Sequence, residues 1–233
     1  MHRLISTILL LLLSACAGPV PGPQPVPVRH SPEATRALQR FETVIARVAP
    51  VAEAECKKLG IVSSCDLQIF VDDRPGLDGN AFQTRDRFGR PAILFTLPLL
   101  VDARNEDELA FILAHEAAHQ IEGHIGATER SAEQGAMIFG SLAQAQGQSR
   151  ADIAAAAALG AQVGARRFSK VLELRADRLG TVIAARAGYD PVLGSAYFAR
   201  IPDPGDEFLG THPPNAERKA LVREVSATLA RQP

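Results

Sequence analysis

Residues 105–121 constrain this chain more than any other stretch. Leu109, Ile112, Leu113, Ala117 and Ile121 recur at helical spacing with no Gly or Pro between them. Asn105 suits an N-cap, and Glu106, Asp107 and Glu108 fill the first turn, where the helix dipole favours acids. The spacing predicts one amphipathic, half-buried helix. His115 and His119 lie one turn apart on one face of it, about 6 Å apart along the axis. Two imidazoles so placed can share one metal ion, with nitrogen–zinc distances of about 2.0–2.1 Å. Three polar side chains on a buried stripe need partners, and a metal supplies them.

His115-Glu116-Ala117-Ala118-His119 is an HExxH arrangement, in which the glutamate is placed to act as general base on a water at the metal. Two such histidines need at least one more protein ligand for a single zinc per chain. His124, Glu173 and His212 are the candidates. On a helix continuing past residue 121, His124 points about 140° away from His119, so it reads as a helix-end histidine. A third His six residues after His119 would mark a metzincin, but Ile125 stands there. Glu173 and Asp177 share one face of a second helix around residues 168–180. Glu173 can complete the coordination, and Asp177 can accept the free N–H of a ligand histidine and fix its tautomer.

The chain has 233 residues and a formal net charge of −1, with no basic run to track phosphates, so a nucleic-acid partner is not expected. Residues 1–15 combine a short basic start with an apolar run at 4–13, too short to span a bilayer, and small residues leading into Cys16. This resembles a bacterial lipoprotein signal. The resemblance implies export, lipidation of Cys16 and anchoring at the periplasmic face of the outer membrane. Residues 16–32 alternate Pro with Val, Gly and Gln and read as an extended tether; the domain then spans 33–233. Cys56 and Cys65 are suited to a disulfide in an oxidising compartment, with two free buried thiols as the alternative.

Aromatic residues make up 5% of the chain and Trp is absent, which with abundant Ala points to an α+β, mainly helical domain. Residues 34–59 carry helical periodicity, with Gly60 as a stop and Pro50 as a kink or division. Alternation predicts strands at 66–71, 80–84 and 92–96, forming a small antiparallel sheet whose edge could present backbone groups to a peptide. Between Glu133 and Arg150 no charge occurs, and small residues repeat every fourth position (Ala132, Ala136, Gly140; Ala156, Gly160, Gly164). Two closely packed helices around a turn near Gly147 fit this pattern, with a membrane- or partner-facing hairpin as the alternative. A last helix is expected over 216–230.

The combined motifs His115-Glu-Ala-Ala-His119, Glu173-Leu-Arg-Ala-Asp177, Ala187-Gly-Tyr-Asp-Pro191 and Thr211-His-Pro-Pro214 resemble the zinc metallopeptidase family of the type I CAAX prenyl protease, HtpX and OMA-type proteases. The resemblance implies a zincin-like (gluzincin) domain, with His115, His119 and Glu173 as zinc ligands, Glu116 as base and Asp177 behind them. Asn80-Ala81-Phe82 resembles the substrate-binding edge strand of thermolysin-like peptidases. His212, on a loop stiffened by two prolines, matches the histidine those enzymes use to stabilise the oxyanion. Without the membrane helices of the prenyl proteases, the chain looks most like a stand-alone periplasmic lipoprotein member. The expected activity is cleavage of misfolded cell-envelope polypeptides. A chaperone-like factor of outer-membrane protein assembly and a zinc hydrolase of non-peptide amides remain alternatives.

Overall fold

The computed structural model describes residues 30–166, 169–203 and 213–231. The expected signal segment, Cys16, most of the tether and His212 lie outside the described residues.

Helix α1 (Pro32–Leu59) starts at Ser31, whose hydroxyl accepts from the Ala34 N–H at 3.1 Å, and ends at Gly60 in the left-handed region. Ala37, Phe41, Val44, Val48, Ala52 and Cys56 form its buried stripe. Pro50 does not divide it. Pro50 lies on the exposed face, where the carbonyl it deprives of a partner can turn to water. Cys56 and Cys65 are joined by a disulfide, with Cα atoms 5.6 Å apart, tying the end of α1 to the segment that enters the sheet.

The sheet is mixed rather than wholly antiparallel, in the order β1-β3-β2. Strands β2 (Ala81–Arg85) and β3 (Pro91–Thr96) form the expected hairpin, while β1 (Gln68–Asp72) runs parallel to β3. Residues 73–80 carry the chain from one edge of β3 to the other, so β1 and β3 point the same way. The exchange covers β3 on both sides; its Ala92, Ile93, Phe95 and Thr96 are buried. It also leaves β2 as a free edge. A short α2 (Leu97–Asp102) follows, and its Leu99 and Leu100 enter the core.

Helix α3 (Glu106–Ile121) is the spine. Its N-cap is as expected, with the Asn105 side chain accepting from the Glu108 N–H at 2.9 Å. Its burial exceeds a half-buried stripe: from Glu108 to Ile121 only Glu116 and His119 escape full burial. Alanines at 110, 114, 117 and 118 make this possible, because they let neighbouring helices close on several faces at once. Helix α6 (Ser169–Arg186) crosses at Gly180, where a Cβ would lie 3.0 Å from both Cα and N of His115.

The chain breaks at Gly123, with φ of 68°, and restarts as α4 (His124–Ala145). Helix α5 (Arg150–Arg166) returns after a turn at Gly147. The two pack through small residues as expected, and a Cβ at Gly135 would fall 2.0 Å from the Gly160 carbonyl oxygen. Met137, Ile138, Leu142 and Leu159 stay exposed on this hairpin. No helix among the described residues is long and apolar enough to cross a membrane.

Helix α7 (Pro191–Gly194), a 3-10 turn (Ser195–Ala199) and α8 (Asn215–Leu229) close the structure. The turn is fastened to α3 by a buried ion pair. Arg200 donates to both oxygens of Glu108, at 2.5 and 2.8 Å, and the Arg104 N–H donates to the same carboxylate at 2.8 Å. Burial opposes the Glu108 charge, but these bonds outweigh it and hold the carboxyl below its usual range. Glu108→Gln should cost about 3 kcal/mol, at the low end for a broken buried pair because Arg200 keeps some solvent. A carboxyl with a depressed folded pKa stabilises the fold above its unfolded pKa of about 4.3 and loses that contribution as pH falls through the folded value. Urea unfolding of both proteins should therefore show the gap at pH 7 and a shrinking gap below about pH 4. A gap independent of pH would contradict this account.

Candidate active site

Helices α3 and α6 meet where Gly180 allows backbone contact, which brings Glu173 and Asp177 against His115 and His119. The Nε2 atoms of the two histidines face each other at 3.0 Å. One Glu173 oxygen lies 3.4 Å from His115 Nε2 and the other 3.2 Å from His119 Nε2. These three side chains form the cluster among the described residues that could hold a metal ion. Its spacing fits one: bonds of about 2.0–2.1 Å in a tetrahedral site put neighbouring ligand atoms about 3.3–3.4 Å apart. Two neutral imidazoles and a carboxylate are also a donor set that zinc accepts.

The far side of His115 is held by Asp177, whose Oδ1 lies 3.0 Å from Nδ1. Asp177 is wholly buried, at 0% exposure, and it receives two hydrogen bonds of 2.7 Å from Arg218, itself 4% exposed. Burial opposes the Asp177 charge, but Arg218 and His115 hold its pKa down. Burial likewise works against a charged His115, yet Asp177 and Glu173 prevail and hold its pKa at about 10, so a metal bound there would displace the proton and leave the neutral imidazole. Glu116 behaves differently. It faces the cavity beside the cluster, and burial, with the neighbouring Glu173 charge, pushes its carboxyl up to about 7 despite His115 and Arg218. A carboxylate so raised is a better proton acceptor near neutral pH than an ordinary glutamate.

The cavity above these residues has a volume of about 590 Å³. Residues 79–83 of the β2 edge form one wall, and Leu99, Phe111, Tyr197, Phe198 and Ile201 supply an apolar one. Asn80, Ala81 and Phe82 are thus placed on the cavity, but their roles differ. The Asn80 carbonyl accepts from the Thr96 N–H at 2.9 Å, so even-numbered residues of β2 turn their backbone groups towards β3. Ala81 and Gln83 turn theirs to the free edge. The backbone of Gln83 reaches Glu116 there.

A model of peptidase family M48 matches residues 37–226. The chain belongs to peptidase family M48. Over 132 residues it is 28% identical to the beta-barrel assembly-enhancing protease of Escherichia coli K12, covering 51% of this chain and 27% of that one. A Vibrio cholerae protein provisionally given the same name is 34% identical over 112 residues, covering 45% and 23%. The Yersinia pestis protein of that name is 30% identical over 122 residues, covering 47% and 25%. The chain thus spans about a quarter of the length of these relatives.

Two residues beside the cluster stand otherwise than the sequence implies. Arg218 stands between Glu217 and Lys219 in the sequence and takes no part in the expectations above, although its position on the buried face with Val222 and Val225 marks it out. His124 was expected to point away from His119. The break at Gly123 overturns this: His124 is buried, and its Nδ1 lies 2.8 Å from Nδ1 of His119. His212 is not among the described residues.

Arg218→Met leaves the Asp177 charge buried without its counter-ion, so it should destabilise the domain by about 3–5 kcal/mol. Adding Asp177→Asn to that variant should restore part of the loss. Thermal and urea unfolding of the two variants check this, and a double variant less stable than Arg218→Met would contradict it.

Proposed function

We propose that the protein is a zinc-dependent endopeptidase acting on extended segments of cell-envelope polypeptides. The observation that carries this reading is the convergence of His115, His119 and Glu173 beside Glu116, at the foot of a cavity walled by a free strand edge. In it His115, His119 and Glu173 hold the zinc. The bound ion supplies Lewis acidity to the scissile carbonyl and to the attacking water. Glu116 takes the proton from that water on its carboxylate and later passes it to the leaving amine. Asp177, fixed by Arg218, holds His115 in the tautomer whose Nε2 is free to bind.

Substrate backbone adds to β2 through the groups that Ala81 turns outward and through the Gln83 carbonyl, the Gln83 N–H being held by Glu116, and this pairing recognises extended chain rather than sequence. The apolar wall of Leu99, Phe111, Phe198 and Ile201 favours an apolar side chain next to the cleaved bond. Unfolded proteins offer both features. His212 supplies the remaining donor to the developing oxyanion, a role carried by the resemblance; Asn215, three residues on in the chain, lines the cavity. Export with a lipid on Cys16, a tether over 16–32 and a place at the periplasmic face of the outer membrane complete the reading. The names of the relatives support a task in outer-membrane protein assembly.

Cleavage of unfolded casein by the metal-loaded protein tests the proposal. Glu116→Gln removes the base and no ligand, so it should keep about one zinc per chain and lower kcat by at least about 10²-fold. His115→Ala/Glu173→Ala should lose both metal and turnover. Wild-type turnover in Glu116→Gln would refute the mechanism, and undiminished zinc in the double variant would refute the ligand set.

A further inference from the structure

His119 has a second partner that nothing in the peptidase chemistry requires, and its surroundings are built rather than incidental. His124 is 3% exposed. It stacks edge-on against His119, with ring centroids 4.8 Å apart and planes at 81°. Its Nδ1 lies 2.8 Å from His119 Nδ1, and its Nε2 lies 3.1 Å from Oε2 of Glu122. Glu122 in turn accepts from Arg175 Nε at 2.6 Å. Four residues from the end of α3, the start of α4 and the middle of α6 thus form one chain of hydrogen bonds. It exists because Gly123, in the left-handed region, folds α4 back on α3.

Counting protons gives this chain a direction. The Glu122 carboxylate only accepts, so the single ring proton of a neutral His124 is on Nε2. Nδ1 of His124 is then an acceptor, and the proton between the two rings belongs to Nδ1 of His119. A neutral His119 with its proton on Nδ1 has a bare Nε2, the nitrogen that faces His115 and Glu173. The opposite order would put a proton on Nε2 and close that position to a cation.

The geometry points to His124 as a positioning residue for the metal: with Glu122 and Arg175 it sets the tautomer and orientation of His119, as Asp177 and Arg218 do for His115. The inference rests on the zinc reading above and adds a requirement to it. Each ligand imidazole is braced by its own pair: a hydrogen-bond acceptor, and an arginine that anchors the acceptor side through a carboxylate.

Zinc dissociation constants, measured on the full chain by competition with a chromophoric chelator, test this alongside melting temperatures in excess chelator. His124→Leu fills the space but accepts no hydrogen bond, and it should raise the zinc Kd by about 10–100-fold. His124→Asn leaves a cavity but offers an oxygen near the position of Nδ1, and its Kd should stay within about 5-fold of wild type. A packing role predicts the reverse order, with Leu retained and Asn impaired. Glu122→Met, which leaves both rings in place, should also weaken zinc binding. A His124→Leu or Glu122→Met chain that binds zinc as tightly as wild type overturns the inference while leaving the metal site intact. A wild-type chain that takes up no zinc overturns the metal reading and this inference together. Nitrogen-15 spectra of the zinc-loaded protein give an independent readout: His119 should carry its proton on Nδ1 and His124 on Nε2, and the opposite assignment overturns it.

Discussion

The crossing of α6 over α3 at Gly180 is the contact on which the rest of the site depends. A Cβ there would stand 3.0 Å from the backbone of His115, so any larger residue forces the helices apart. Glu173 and Asp177 lie about two turns and one turn before Gly180 on α6, and their distances to the histidines follow from that approach. Donor atoms 3.0–3.4 Å apart tolerate little widening before they could no longer share one ion. The small residues of α3 serve the same end, since Ala114, Ala117 and Ala118 keep the helix narrow where others close on it.

Around this contact the protein buries charges in pairs. Asp177 with Arg218 fixes α8 to the back of the site, and Glu108 with Arg200 fixes the 3-10 turn to the start of α3. Neither pair is an efficient source of stability, because desolvation consumes much of the attraction between the charges. Their value is directional. The first orients His115, and the second holds Tyr197 and Phe198 in the cavity wall. Arg218 joins the two regions, with its guanidinium 3.8 Å from the Phe198 ring centre. Rigidity around His115, His119 and Glu173 keeps them in place without reorganisation.

Much of this was legible in the sequence, for identifiable reasons. Periodicity and capping residues placed α3 closely, from Asn105 to Ile121, because a helix with its own N-cap and acidic first turn carries its boundaries locally. The pairing of Glu173 with Asp177 was legible from i, i+4 spacing next to an HExxH helix. The parallel direction of β1 was not, since alternation reports which residues are covered and says nothing about strand direction. Arg218 and Glu108 were missed because their partners are 41 and 92 residues away and nothing local marks a charge as buried. His124 was misplaced by a single assumption, that α3 continues through Glu122. Gly123 carried the contrary signal, since glycine after an apolar helical run is the residue that leaves a helix in the left-handed conformation.

The central claim is that one metal ion lies between α3 and α6, held by His115, His119 and Glu173. Anomalous diffraction at the zinc edge from crystals of the zinc-loaded protein tests it most directly. The account predicts a single strong peak within about 2.0–2.2 Å of His115 Nε2, His119 Nε2 and a Glu173 oxygen. A peak bound elsewhere, or a well-ordered site with no peak at one zinc per chain, would contradict it.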